Sequence, residues 1–307
     1  MRLSPSPSLS AALCSVALAA LLAGCGAEDT PDAEPTGSPT ATEPTTEPTT
    51  ETTSPTPTDT QAPTPTTSEP APEPVAGRVY YLVDTRTGFR LAREPRSLSG
   101  ADPAVAAVEA MVAGPEDPDY ATTWNPRTRV LDVERDGRVV TVDLSRQARR
   151  ANAGSEAAAR MVQQLVYTVT EVTSPRDRVQ LLIEGRPAGE LWGSVSWTRP
   201  IGRADPDAVR LLVQIDEPAE GATVSSPLTV TGEANAFEAN VPWRVLRPDG
   251  TVVRRGFTTT TEGMTFAPYS FTVRLRPGSY VVEVSEDDPS GGEGGTPMTD
   301  TRTVTVE

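Results

Sequence analysis

The chain has no histidine and no lysine. All 27 of its basic residues are arginine, and its two cysteines, Cys14 and Cys25, both lie near the start. Beyond Cys25 there is therefore no thiol, imidazole or amine side chain. That excludes Ser-His-Asp and Cys-His catalysis and a Schiff base on lysine. It equally excludes zinc or haem sites built on His or Cys. No disulfide can brace the later residues, so any domain there must hold together by core burial. Positive charge is also scarce: the formal net charge is −15. A nucleic-acid partner would require a basic face to displace counterions, so none is expected. Docking on anionic headgroups by charge alone is disfavoured for the same reason. What remains is carboxylate, hydroxyl and guanidinium chemistry. No catalytic, cofactor-binding or metal-ligating set stands out, and no cofactor is implied. The length of 307 residues suits roughly two domains of ~150 residues.

The N-terminal stretch is a different matter. Arg2 precedes an apolar run from Ala11 to Leu22, twelve residues and too short to cross a ~30 Å hydrocarbon core. Its length fits the apolar region of a secretory signal. The run ends in Leu22-Ala23-Gly24-Cys25, which resembles the lipobox of bacterial lipoproteins. The resemblance implies a signal peptide over 1–24, cleavage before Cys25 and a diacylglycerol on its thiol. Cys25 is thus the expected lipidation site, and the membrane, reached through that lipid, the expected partner. The expected location is the outer face of the cytoplasmic membrane. Residues 25–77 are rich in Pro and Thr and carry ten acidic residues with no basic one. Such a composition cannot bury enough apolar surface to offset ordering entropy, so a disordered tether is expected. Proline and like charge would extend it to a reach on the order of 150 Å at ~3.1 Å per residue.

Over residues 78–200 the pattern changes. Arg78–Val83 and Phe89–Glu94 read as strands about a Thr87-Gly88 turn. Asp102-Pro103 reads as an N-cap and a first-turn proline, and Gly114-Pro115 as a stop, with Val105, Val108, Met111 and Val112 on the buried face. Thr128–Glu134 and Arg138–Leu144 form a hairpin about Asp136-Gly137. A second helix from Ser155 buries Met161, Val162, Leu165 and Val169, and Arg178–Ile183 is a final strand. The order predicts an α+β sandwich domain, two helices on a mainly antiparallel sheet. Ala110 through Gly114-Pro115, Val142-Asp143-Leu144-Ser145, Gln163-Gln164-Leu165-Val166-Tyr167-Thr168 and Leu191-Trp192-Gly193-Ser194 resemble the GerMN domain of sporulation and germination proteins. That family implies no catalytic residues. Asp143 and Ser145 are expected to end a strand and cap the next segment, and Gln163, Gln164 and Tyr167 to pack. Trp192 and Trp197 are expected to cover a core edge, unless an exposed pair stacks on a glycan or partner.

After a short linker, Gly202–Asp205, residues 207–307 show seven strand candidates with Gly, Pro and Asp between them and no helical period. This predicts an all-β immunoglobulin-like sandwich. Trp243 stands where such folds often bury a tryptophan. Gly278-Ser279-Tyr280-Val281-Val282 resembles a tyrosine corner, with Val282 in the place of a disulfide cysteine. Ser226–Asn235, Phe237–Val241 and Ser285–Asp288 resemble the immunoglobulin-like Gmad domain of spore-germination proteins. The acidic loop 286–293 reads as a solvated turn, with calcium as the alternative.

The reading these features favour is a lipid-anchored, non-enzymatic binding or scaffold protein of the cell envelope. Wall polymer or envelope proteins are its expected partners, and the resemblances point to sporulation, germination or envelope maintenance. One alternative is a sensing lipoprotein that works with a membrane kinase or transporter. Another is a wall glycan hydrolase using paired carboxylates, although Glu109 in the first helix, Asp143 at a strand end and Glu171 near a helix end make no compelling pair.

Overall fold

A computed structural model describes residues 73–151, 153–288, 293 and 295–307. The leader, Cys25 and nearly all of the tether lie outside the described residues. No described helix is long and apolar enough to cross a membrane.

The first folded part opens with β1 (Val75–Thr85) and β2 (Gly88–Leu98), a long antiparallel hairpin. Gly88 closes its turn with φ of +89°, and a side chain there would collide with the carboxylate of Glu156. That carboxylate instead accepts the Phe89 amide at 2.9 Å. α1 (Pro103–Ala113) starts where the sequence predicts: Asp102 Oδ1 accepts the Ala104 amide at 2.7 Å and the Val105 amide at 3.4 Å. β3 (Val130–Asp136) and β4 (Val139–Leu144) form the expected hairpin. α2 (Ser155–Val172) then crosses to β5 (Arg178–Ile183), which lies parallel to β4. β6 (Arg186–Pro187) extends that sheet, and β7 (Gly189–Leu191) pairs with β8 (Val195–Trp197). The α+β class is the one expected. The sheet itself is divided, with β1–β2 separate from the four-stranded β3-β4-β5-β6.

The hairpin buries both faces. Val79 and Tyr81 enter the main core with Met111, Met161 and Leu165, while Tyr80 and Leu82 enter a second cluster with Leu91, Tyr167 and Val209. This explains four consecutive buried residues, Val79 to Leu82, where a one-sided strand would alternate.

The linker is not free. Tyr167 donates its hydroxyl to the Ala204 carbonyl at 2.7 Å, and Gln163 accepts the Ala204 amide at 2.8 Å. A short helix, α3 (Pro206–Val209), comes next, capped by Asp205. It replaces the start of the strand expected from residue 209.

The second part is a two-sheet sandwich. β9 (Val213–Glu217), β11 (Leu228–Asn235) and β14 (Phe266–Val273) make one sheet. The other runs in the order β10 (Ala222–Val224), β16 (Thr299–Val306), β15 (Gly278–Ser285), β12 (Asn240–Leu246), β13 (Val252–Thr259). Three-residue β10, parallel to β16, has no counterpart among the seven strand candidates. The core holds Val230, Val245, Tyr269, Phe271, Val282 and Val304. Tyr280 donates its hydroxyl to the Arg276 carbonyl at 3.0 Å, the geometry of a tyrosine corner. Trp243 is only half-buried, contrary to the expectation. It stacks on Phe271 at 4.6 Å between centroids, near the end of the sheet, with Gly256 against its ring.

Candidate functional site

The densest polar chemistry lies where the two folded parts meet. β16 faces inward along Asp300, Arg302, Val304 and Val306. Its apolar half fills the sandwich core, and its charged half meets the loop after α1. Arg302 is fully buried. Its Nη1 donates to Asp117 Oδ2 at 2.6 Å and Asp300 Oδ1 at 3.1 Å; its Nη2 donates to the Tyr120 hydroxyl and the Ile215 carbonyl, both at 2.9 Å. Asp300 accepts the Tyr120 hydroxyl at 2.7 Å and the Ile215 amide at 2.6 Å. Asp117 also accepts the Asp119 amide at 2.8 Å. The cluster holds two buried carboxylates against one buried guanidinium. Burial pushes the Asp117 carboxyl up to about 6, against the pull of Arg302. Burial likewise raises Asp300, opposed by Arg302 and by its hydrogen bonds.

A second ionic group lies on β2. Arg93 grips Asp216 through Nε at 2.8 Å and Nη2 at 2.6 Å, and its Nη1 lies 2.5 Å from Glu233. Arg210 also reaches Glu233, at 2.5 Å, with its guanidinium over the Phe266 ring. The Leu211 amide donates to the Leu91 carbonyl at 2.9 Å, so backbone also crosses the junction. At the rim Arg86 holds Glu286 at 2.9 and 3.2 Å, and Thr301 donates to Asp119.

The residues singled out in the sequence have structural work. Gln164 is buried and donates to the Tyr80 carbonyl at 3.0 Å. Gln163 and Tyr167 pin the linker. Ser145 accepts the Arg129 amide at 2.9 Å, and Asp143 accepts that of Gly185 at 2.9 Å. Trp197 is fully buried and donates to the Val179 carbonyl at 3.1 Å. Trp192 packs edge-on against Trp124 and donates to the Ala148 carbonyl at 3.0 Å. An exposed stacking pair is thereby ruled out. Of the carboxylates considered for hydrolysis, Glu109 is exposed on α1 and Asp143 holds Gly185. Glu171 pairs with Arg203 at 2.8 Å and accepts the Tyr80 hydroxyl at 3.3 Å. In the loop considered for calcium, Glu286 is held by Arg86 and accepts the Met298 amide at 3.0 Å; residues 289–292 lie outside the described residues. Among the described residues, no group of three or more acidic side chains is placed to hold a metal ion. Sequence reasoning missed Asp117, Tyr120, Asp300 and Arg302. One signal for two of them was present: Asp300 and Arg302 share the alternating face of Val304 and Val306.

Comparison with known families places this junction. Residues 78–189 match the Germane family, described as sporulation and spore germination. Residues 212–293 match Gmad2, the immunoglobulin-like domain of bacterial spore germination. The chain joins two spore-germination domains. The junction lies between these germination domains, with Asp117 and Tyr120 from the first and Ile215 from the second. The chain is similar to the tandem GerMN domains of the sporulation protein GerM from Bacillus subtilis: 18% identity, TM-score 0.37, 45% of this chain and 50% of that one. It thus spans half of that structure's length. It is similar also to the first GerMN domain of the same protein: 23% identity, TM-score 0.36, 43% of this chain and 99% of that one. Among curated proteins, none matches.

Proposed function

We propose that the protein is a lipid-anchored, non-enzymatic component of the cell envelope, in which the two germination domains act together as one binding or scaffold module. The observation that carries this reading is the junction. Its buried charged groups contact one another across the two domains, so they serve to couple the domains rather than to meet a substrate. Cys25, in its lipobox context, supplies the anchor to the outer face of the cytoplasmic membrane. The acidic, Pro/Thr-rich stretch after it supplies reach. The partners would be wall polymer or other envelope proteins, in sporulation, germination or envelope maintenance.

The test compares the full chain with Cys25→Ser in intact cells, by fractionation, intact mass and crosslinking. The expected result is a diacylated protein in the membrane fraction with crosslinks to extracytoplasmic partners, and release of the Cys25→Ser variant. A cytosolic, unmodified protein would overturn the anchor, and glycan cleavage by the purified chain would overturn the non-enzymatic reading.

A further inference from the structure

β13 ends the five-stranded sheet, with β12 as its one neighbour. From Val252 to Phe257 the strand is exposed except at Val253, which packs against the sandwich core. At Thr258 the opposite sheet closes in, where the Thr258 hydroxyl donates to the Ser270 carbonyl at 2.7 Å. An edge strand of this kind presents outward-facing amides and carbonyls ready to pair.

Natural edges are blunted by charge, and this one is blunted by one sign only. Arg254 and Arg255 are consecutive near its centre and project to opposite faces of the strand, and the sequence has no acidic residue from Gly250 to Thr261. Arg255 stands opposite Arg244, which Glu283 already holds at 2.5 and 3.0 Å. Among the described residues Arg255 has no acidic partner, and Arg254 donates only to the Val253 carbonyl, at 2.7 Å. Beside them Phe257 stands 72% exposed, opposite Pro242. Arg255, Phe257 and Pro297 line a cleft of about 770 Å³ together with Arg244 and its partner Glu283, and Arg254 lies outside it. In a chain of net charge −15 such a basic, aromatic edge is out of keeping with the rest.

We propose that the edge of β13 is a docking strand for an extended, acidic segment of a partner protein. The segment would pair with the free edge, set carboxylates against Arg254 and Arg255, and lay an apolar side chain on Phe257. Charge complementarity selects this occupant. A second copy paired antiparallel about the same point would bring arginine against arginine, which disfavours pairing. The proposal rests on the reading of the protein as a binding module and names one class of partner.

The test is fluorescence anisotropy of a labelled peptide Glu-Glu-Thr-Val-Thr-Glu-Glu, whose adjacent acids can meet Arg254 and Arg255 on the two faces while Val meets Phe257, titrated with the full chain at low ionic strength. Its lysine-for-glutamate counterpart serves as the control. The expected result is binding of the Glu peptide, roughly tenfold weaker for Arg254→Glu/Arg255→Glu, with preference passing to the Lys peptide. Phe257→Ser should weaken binding several-fold, and backbone amide shifts should centre on residues 252–257. Unchanged urea midpoints would show that these exposed substitutions leave the fold intact; if the charge reversal does not fold, Phe257→Ser and the amide shifts decide. Absence of binding up to about 1 mM, equal binding of both peptides, or shifts confined elsewhere would overturn the proposal. So would self-association of the chain through β13. Such a failure leaves the envelope fractionation and crosslinking outcomes standing, so the two readings fail separately.

Discussion

Arg302 donates to Asp117 across 185 residues of sequence, at 2.6 Å, with both side chains almost wholly shielded from solvent. The last strand of the chain is thereby tied to the loop after its first helix. Removing the cation from such a pair leaves two buried carboxylates with hydrogen bonds but no countercharge. Arg302→Met should therefore destabilise the protein by about 3–5 kcal/mol in urea unfolding at neutral pH. A loss below about 1 kcal/mol would show that the cluster is solvated in solution.

The same cluster sets a pH dependence. Asp117 has its carboxyl raised to about 6 by burial, above the 3.8 of an unperturbed Asp. A raised pKa means that the folded state binds the proton more tightly than the unfolded one. The contribution is therefore fully present below the unfolded value and is lost as pH rises through about 6. Asp117→Asn should abolish this component, so that between pH 7.5 and 5 its Tm rises less than that of the parent. Parallel thermal melts across that range measure it, and identical slopes would count against the assignment.

Tyr280 tests the sandwich alone. Tyr280→Phe removes the hydroxyl that reaches Arg276 while leaving the ring in place. The expected loss is about 1 kcal/mol, the net contribution of one hydrogen bond. A shift in urea midpoint with unchanged slope would report it.

Gly256 tests the stack beneath β13. A methyl group there would lie 2.5 Å from the Trp243 ring, itself stacked on Phe271. Gly256→Ala should cost about 1–3 kcal/mol, as overpacking does, and should shift tryptophan emission as the ring moves. Preserved emission and stability would mean that the sheet end relaxes freely.

These experiments probe features that are unequally legible in the sequence. Asp102-Pro103 announces a helix start because its chemistry is local: one side chain and the amides just after it. The tyrosine corner is legible for the same reason, since Tyr280 bonds four residues upstream. The stripe from Met161 to Val169 comes from helical period. The junction is not legible, because each of its bonds joins groups that one stretch of sequence cannot relate. Asp300 and Arg302 share a face with Val304 and Val306, but nothing local says that Asp117 and Tyr120 wait opposite. The same holds for the hairpin, where Tyr80 and Leu82 face a cluster that includes Val209. Trp243 is misplaced because the fold rule gives its strand and not its distance from the sheet edge. The contacts of the linker are not legible either, because Tyr167 and Gln163, which bind its backbone, lie far from it in sequence.

The double-faced burial of β1 has a mechanical consequence. The strand begins at Val75, and its middle, from Val79 to Leu82, is wedged between two apolar clusters. A load applied there is divided at once between the core under α1 and α2 and the cluster that reaches Val209. Force on this end is therefore borne by two clusters at once, one of which includes Val209 of α3.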